Sequence, residues 1–323
     1  MHVKAPLNLL VVLILAFIIF SILGCAALAP QPTPTPTATS TSTTIPTKTP
    51  IPTATATETP KPSPTPTIPP VPTISIDTQS AINMQADCRQ AIDGFHNLKN
   101  GLGLPDHFMS ENPLRQAADF DPNQYFNVLT HLKLASGYKL DYVYFNDELG
   151  GLPLVYARKS SSAPYKSYSE LLKSYGEDVT GERSYGELLH KYDYLEKVKI
   201  DKTPESYLEF VTLAFLGDQF YLWWHGLYND AVILCDSSDQ QYVDAELNDF
   251  EIEFPQDVID RIDKIDFTPI VIVDESTVTV HFVTFTKWGG FFENIYVMDK
   301  GDPMQLLDVE FNPVVEYDCG IAF

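Results

Sequence analysis

The densest run of side chains able to recognise or transform a ligand is Gln219-Phe220-Tyr221-Leu222-Trp223-Trp224-His225-Gly226-Leu227-Tyr228-Asn229-Asp230. Trp and Tyr combine a large apolar face with a polar tip, and here they stand beside an imidazole and a carboxylate. Trp223, Trp224, His225, Tyr228 and Asp230 are therefore candidate lining residues of a pocket for a sugar or another flat ligand. Trp288, just before Gly289-Gly290, joins them as an aromatic at a hairpin tip. The same residues also read as a core strand with alternating aromatics and a polar Tyr-Asn-Asp turn. In that reading Trp288 packs against Phe291.

Other chemistries leave no signature. There is no Gly-x-Ser-x-Gly elbow, no His-Glu-x-x-His helix, no phosphate-binding glycine loop and no EF-hand loop. The seven histidines are scattered, none at zinc-ligand spacing, so neither a metal nor a cofactor is expected. The acidic stretch Asp244–Asp266 could hold calcium or a catalytic carboxylate pair, but it spreads over a loop and an amphipathic helix, as a solvated face does. A thiol enzyme would need Cys235 beside His225 or His281, and no local signature supports one. Cys235 instead suits a disulfide. It ends the apolar run Ala231–Leu234, Cys319 lies just past the last strand, and Cys88 occupies an apolar helical stripe where a thiol packs as a small hydrophobe. Cys235–Cys319 is the expected bridge, with pairings to Cys88 left open.

The elements that must position these residues can be read from periodicity. Ala81, Met84, Cys88, Ala91, Phe95 and Leu98 form one helical stripe ending near Gly101. Asp121-Pro122 starts a helix whose face would be Tyr125, Val128, Leu132 and Ala135, stopped by Gly137. Leu140 to Phe145 reads as a strand, Asn146 to Pro153 as a loop, and Leu154 to Ala157 as a second strand. Ser167 and Ser184 open two similar short helices, each with Glu at the capping-box position. Thr203-Pro204-Glu205 opens a helix ended by Gly217, and Pro255 to Ile265 forms another. The C-terminal runs Ile270–Val273, Thr277–Thr286, Phe291–Asp299, Leu306–Phe311 and Val314–Tyr317 are β-branched or aromatic and separated by turn residues, which implies an antiparallel meander. The expected fold is α+β, with N-terminal helices followed by a C-terminal antiparallel β meander.

The N-terminal part is of another kind. Lys4 precedes Leu9 to Phe20, a stretch without a polar side chain, and Ile22-Leu23-Gly24-Cys25 follows. A basic n-region, a short apolar core and a small residue before Cys resemble the lipobox signal of bacterial lipoprotein precursors. The resemblance implies cleavage after Gly24, with residues 1–24 as signal peptide and lipidation of Cys25. An uncleaved anchor from about Leu7 to Leu28 is the alternative. Either way the rest of the chain is expected on the outer side of the cytoplasmic membrane or at the cell surface, and in the lipobox reading the lipid at Cys25 holds it there. Residues 26–74 hold 14 Pro and 16 Thr with only Lys48, Glu58 and Lys61 charged. That composition favours extended polyproline II and buries too little to fold, so 25–74 is expected to be a disordered tether.

All but three of the 21 basic and one of the 43 acidic residues lie beyond residue 74, so the globular part, 75–323, carries a formal charge of −24. Such a field repels nucleic acid and anionic headgroups and keeps the domain soluble. The blocks Gln219–Asp236 and Val283–Ile321, including Lys287-Trp288-Gly289-Gly290 and Tyr317-Asp318-Cys319-Gly320, look like segments of an uncharacterised family of exported bacterial proteins. That resemblance implies an exported accessory domain and assigns no site residues. The sequence reading favours a lipid-anchored extracytoplasmic binding or interaction domain on a stalk over an enzyme, with an unknown extracellular ligand or cell-surface component as its partner. The alternative is a cell-surface hydrolase acting on carbohydrate through acidic residues.

Overall fold

The computed structural model describes residues 80–110, 113–148, 150–176, 193–248 and 256–316. The signal and tether, Cys25, the second Ser-Tyr-x-Glu copy and Cys319 lie outside them. Within the described part the fold is mixed, and all strand pairing is antiparallel.

The large sheet has the order β1 (Ile82–Asn83), β8 (Ile270–Val273), β9 (Thr277–Thr286), β10 (Gly290–Asp299), β11 (Leu306–Glu316). The last four form the expected meander. One edge of β9 is shared, because β7 (Val232–Leu234) pairs with Val283–Phe285 while β8 pairs with Val278–His281. Alternation along β9 separates two cores. Val278, Val280 and Phe282 point into the main cluster, whereas Val283 and Phe285 join Val258, Ile262, Phe267 and Phe291 in a second one. Asn312-Pro313 does not divide the last strand as expected: β11 runs unbroken to Glu316. Because β11 is the sheet's edge, a proline lacking its N–H can be accommodated, and the register shifts beside it between Phe291 and Phe292.

The helices are interleaved with the strands instead of preceding them. α1 (Gln85–Lys99) buries Cys88, Ala91 and Phe95 of the expected stripe and Ile92 besides, while Ala81 and Met84 precede the helix. Gly94 lets α1 approach the next segment, since a Cβ there would stand 2.8 Å from that of Val128. α3 (Pro204–Leu216) has Thr203 as cap and ends at Gly217. It is buried nearly all round, which marks it as the central helix of the main core. α2 (Tyr168–Ser174), α4 (Gln240–Asn248) and α5 (Gln256–Ile262) are short.

The helix expected from Asp121 to Ala135 is corrected. Asp121 caps as foreseen, but only a 3-10 segment, Pro122–Asn127, follows, and Leu132–Leu134 forms strand β2. Two side chains redirect the backbone. Asn123 bonds both ways with Leu140, and the Glu209 carboxylate collects the N–H groups of Thr130 (3.1 Å) and His131 (2.8 Å).

β2 then pairs with β5 (Val198–Ile200), and His131 Nδ1 meets Asp201 Oδ2 at 2.7 Å just beyond the ladder. The hydrogen bond to Asp201 raises the His131 imidazole. Partial burial pushes Asp201 upward, but bonds from His131 and Thr203 outweigh it and hold the carboxyl down at about 2. The raised imidazole contributes stability fully below about pH 6.5, lost as pH climbs through its folded value. The lowered carboxyl contributes above about pH 4, lost as pH falls towards 2. Being exposed, the pair is worth under about 1 kcal/mol. Urea midpoints of wild type and His131→Gln should therefore differ at pH 5 and converge by pH 9.

Candidate functional site

The β3–β4 hairpin organises both places where the molecule gathers recognition chemistry. β3 (Tyr138–Asp147) and β4 (Gly150–Lys159) are separated by two residues, so the expected Asn146–Pro153 loop is mostly strand. β6 (Trp223–Trp224) adds to the other edge of β4, with Trp223 opposite Gly151 and Trp224 opposite Gly150.

That pairing sets the two tryptophans apart. Trp223 is half-buried, and its Nε1 donates to Asn146 Oδ1 at 3.1 Å. Its indole lies over Gly151, where a Cβ would meet Nε1 at 2.2 Å and the Tyr144 hydroxyl at 2.7 Å. Gly151→Ala must therefore dislodge Trp223, and we expect a loss of about 1–3 kcal/mol in chemical denaturation. Trp224 instead faces outward, 59% exposed, with φ 51° and ψ −128°. Tyr221, three residues earlier, also has a positive φ, 54°. Such backbone costs a non-glycine residue on the order of 1–3 kcal/mol and persists only where surrounding contacts enforce it. At Tyr221 the enforcing contacts are visible: Tyr144 OH donates to its carbonyl at 2.5 Å, and Phe120 N–H donates to its hydroxyl at 2.9 Å.

The segment continues through a 3-10 turn, His225–Asn229, into β7. The side chains of His225 and Tyr228 lie outside the described part. Leu227 is exposed, and its carbonyl accepts from Trp288 Nε1 at 2.9 Å, which ties the β9–β10 turn to this turn. Trp288 is partly covered and lies 5.4 Å beneath the Lys287 ammonium. Asp230 completes the clamp, accepting from Thr286 Oγ1 at 3.2 Å and pairing with Lys287 Nζ at 3.4 Å. Burial raises its carboxyl, with Lys287 pulling the other way. Of the four candidates with described side chains, Trp223, Asp230 and Trp288 fasten the segment, and Trp224 faces outward.

A second constellation was not foreseen. Asp141, 1% exposed in the middle of β3, accepts from Arg115 Nη1 at 2.6 Å, Arg158 Nε at 2.8 Å and its neighbour Tyr142 N–H at 3.0 Å. Arg115 stacks 5.1 Å over the Tyr142 ring. Desolvation works against its charge, but Asp141 more than compensates and raises the guanidinium. Beside the triad opens a cavity of about 350 Å³ whose walls include Leu114, Pro164, Tyr165 and Lys166.

The expected Cys235–Cys319 bridge is corrected: Cys235 is bonded to Cys88, with Cα atoms 5.7 Å apart. The residues following the two cysteines explain the choice. Arg89 pairs with Asp236 (2.9 Å) and with buried Asp239, and Asp239 Oδ2 also accepts the Cys235 N–H at 2.6 Å. Bonds from Ser238, Arg89 and Gln85 hold Asp236 well below the usual carboxylate range despite partial burial. An ion cluster thus docks α1 against the end of β7 where the sulfurs meet. No group of metal-binding side chains occurs among the described residues, nor any helix long and apolar enough to cross a membrane. Compared with protein families, curated proteins and solved structures, the chain has no significant match.

Proposed function

We propose that this chain is a lipid-anchored, outward-facing binding domain, carried on its Thr/Pro-rich tether, that captures carbohydrate or another ring-shaped ligand on Trp224. The observation that carries the reading is a tryptophan left 59% exposed on backbone that resists it. Exposed indoles are typical anchors of recognition surfaces, and strain is retained where surrounding structure imposes it. Lipidation at Cys25 and the polar tether give the display its direction, and the Cys88–Cys235 bond suits an oxidising compartment. The hydrolase alternative has less behind it, because Asp230, the carboxylate within the aromatic segment, is engaged by Thr286 and Lys287.

The test pairs a glycan array with two variants of the full chain in non-ionic detergent. Trp224→Ala should weaken the glycan hit about tenfold or more while leaving the unfolding midpoint unchanged or raised. Trp224→Gly, which suits the backbone, should raise stability and still fail to bind. Wild-type binding by either variant, or no saturable glycan, would overturn the reading. Mass spectrometry of the N-terminal peptide tests the anchor separately, through acyl chains on Cys25.

A further inference from the structure

The Arg115–Asp141–Arg158 cavity stands against the charge of the molecule around it. The chain carries a formal net charge of −22, yet this cavity gathers Arg115, Arg158 and Lys166 around one carboxylate, Asp141. That carboxylate already accepts from both guanidiniums and from a backbone amide, so it has little capacity left to neutralise Lys166. Asp121 adds only a loose approach to Arg115, at 3.8 Å. Lys166 makes no side-chain ion pair among the described residues; its backbone N–H donates to Glu170. Arg115 Nε is buried and finds no acceptor among the described residues, leaving its planar fork incompletely used. Three cations thus share one directly bonded carboxylate, with Asp121 only loosely opposed to Arg115, which leaves positive charge in the cavity for a further anion to meet.

We infer that this cavity is a binding site for a small organic anion, a carboxylate or phosphate ester attached to an apolar or ring-shaped body. Guanidinium donors match the spacing of carboxylate and phosphate oxygens, and Lys166 adds a point charge at the rim. Leu114, Pro164 and the Tyr165 ring supply the apolar wall for the rest of the molecule. A volume of about 350 Å³ lies at the small end for organic ligands, which limits the guest to a single ring or short chain. The surrounding negative field would slow the arrival of anions, so selectivity comes from the cavity itself and not from steering. The inference does not depend on Trp224.

Calorimetric titration of the full chain in non-ionic detergent tests it, with glucuronate and benzoate as carboxylates, glucose 6-phosphate as phosphate ester, and glucose and benzyl alcohol as uncharged counterparts. One of the two anion classes should saturate the protein, binding should weaken with added salt, and the uncharged analogues should fail. Whichever class binds identifies the headgroup. Lys166→Gln should weaken binding about fivefold without changing the unfolding midpoint, and Arg115→Gln about tenfold or more. Trp224→Ala should bind the anion as wild type does, which separates this site from the aromatic one. The inference fails if no anion saturates, if the uncharged analogues bind equally, or if affinity survives both substitutions.

Discussion

Replacing both cysteines of the Cys88–Cys235 bond by alanine should destabilise the domain by about 5 kcal/mol, the largest effect expected of any change considered. The bond spans a sequence separation of 147 residues, and closing so long a loop removes about that much chain entropy from the unfolded state. Domains of this kind have only about 5–15 kcal/mol in total, so C88A/C235A should be marginal at 37 °C. The native geometry is supported independently by Arg89, Asp236 and Asp239, so the folded state should keep its shape while the denaturation midpoint falls. Urea unfolding with and without reductant measures the difference. Non-reducing peptide mapping checks the pairing: a fragment joining Cys88 to Cys235 is expected, and one joining Cys235 to Cys319 would refute the arrangement.

Asp141→Ala should come next, at about 3 kcal/mol. Asp141 is 1% exposed and carries two guanidiniums, so its removal leaves Arg158 without its carboxylate and Arg115 with only the loose Asp121 pair. Arg158 is nearly buried, whereas Arg115 retains some solvent contact, which places the loss at the lower end of the range for broken buried pairs. Arg115→Gln should cost less, since Asp141 keeps Arg158. The order of the urea midpoints, wild type above Arg115→Gln above Asp141→Ala, is the measurement. An Asp141→Ala protein as stable as wild type would mean that water relieves the charges.

Much of the architecture was legible because local signals agreed with the tertiary outcome. Thr203-Pro204 and Gly217 bracket α3 where expected, and the turn residues between Val273 and Leu306 separate the strands of the meander. The misreadings came where a distant side chain overruled local pattern. Tyr125, Val128 and Leu132 keep helical spacing, but Glu209, far along the chain, captures the amides that would have continued the turn. Asn146 to Pro153 has loop composition, yet Gly151 is there because Trp223 lies across it. Misjudging that hairpin also hid the anion cavity. With two connecting residues Asp141 faces Tyr156, and Arg158 becomes its diagonal neighbour, a relation an eight-residue loop cannot reveal. The disulfide did leave a trace in the chain: each cysteine is followed by a residue of opposite charge, Arg89 and Asp236.

The aromatic segment between α3 and β7 is stapled on several sides. It adds to β4 at Gly150 and Gly151, bonds Asn146 through Trp223, accepts from Trp288 at Leu227, and reaches the β9–β10 turn through Asp230. A guest at the proposed Trp224 site would therefore meet a backbone already fixed in place. Little motional freedom remains to be surrendered at contact, so the heat of association should translate into affinity with a small opposing entropy. In that respect the proposed display would act as a rigid hook.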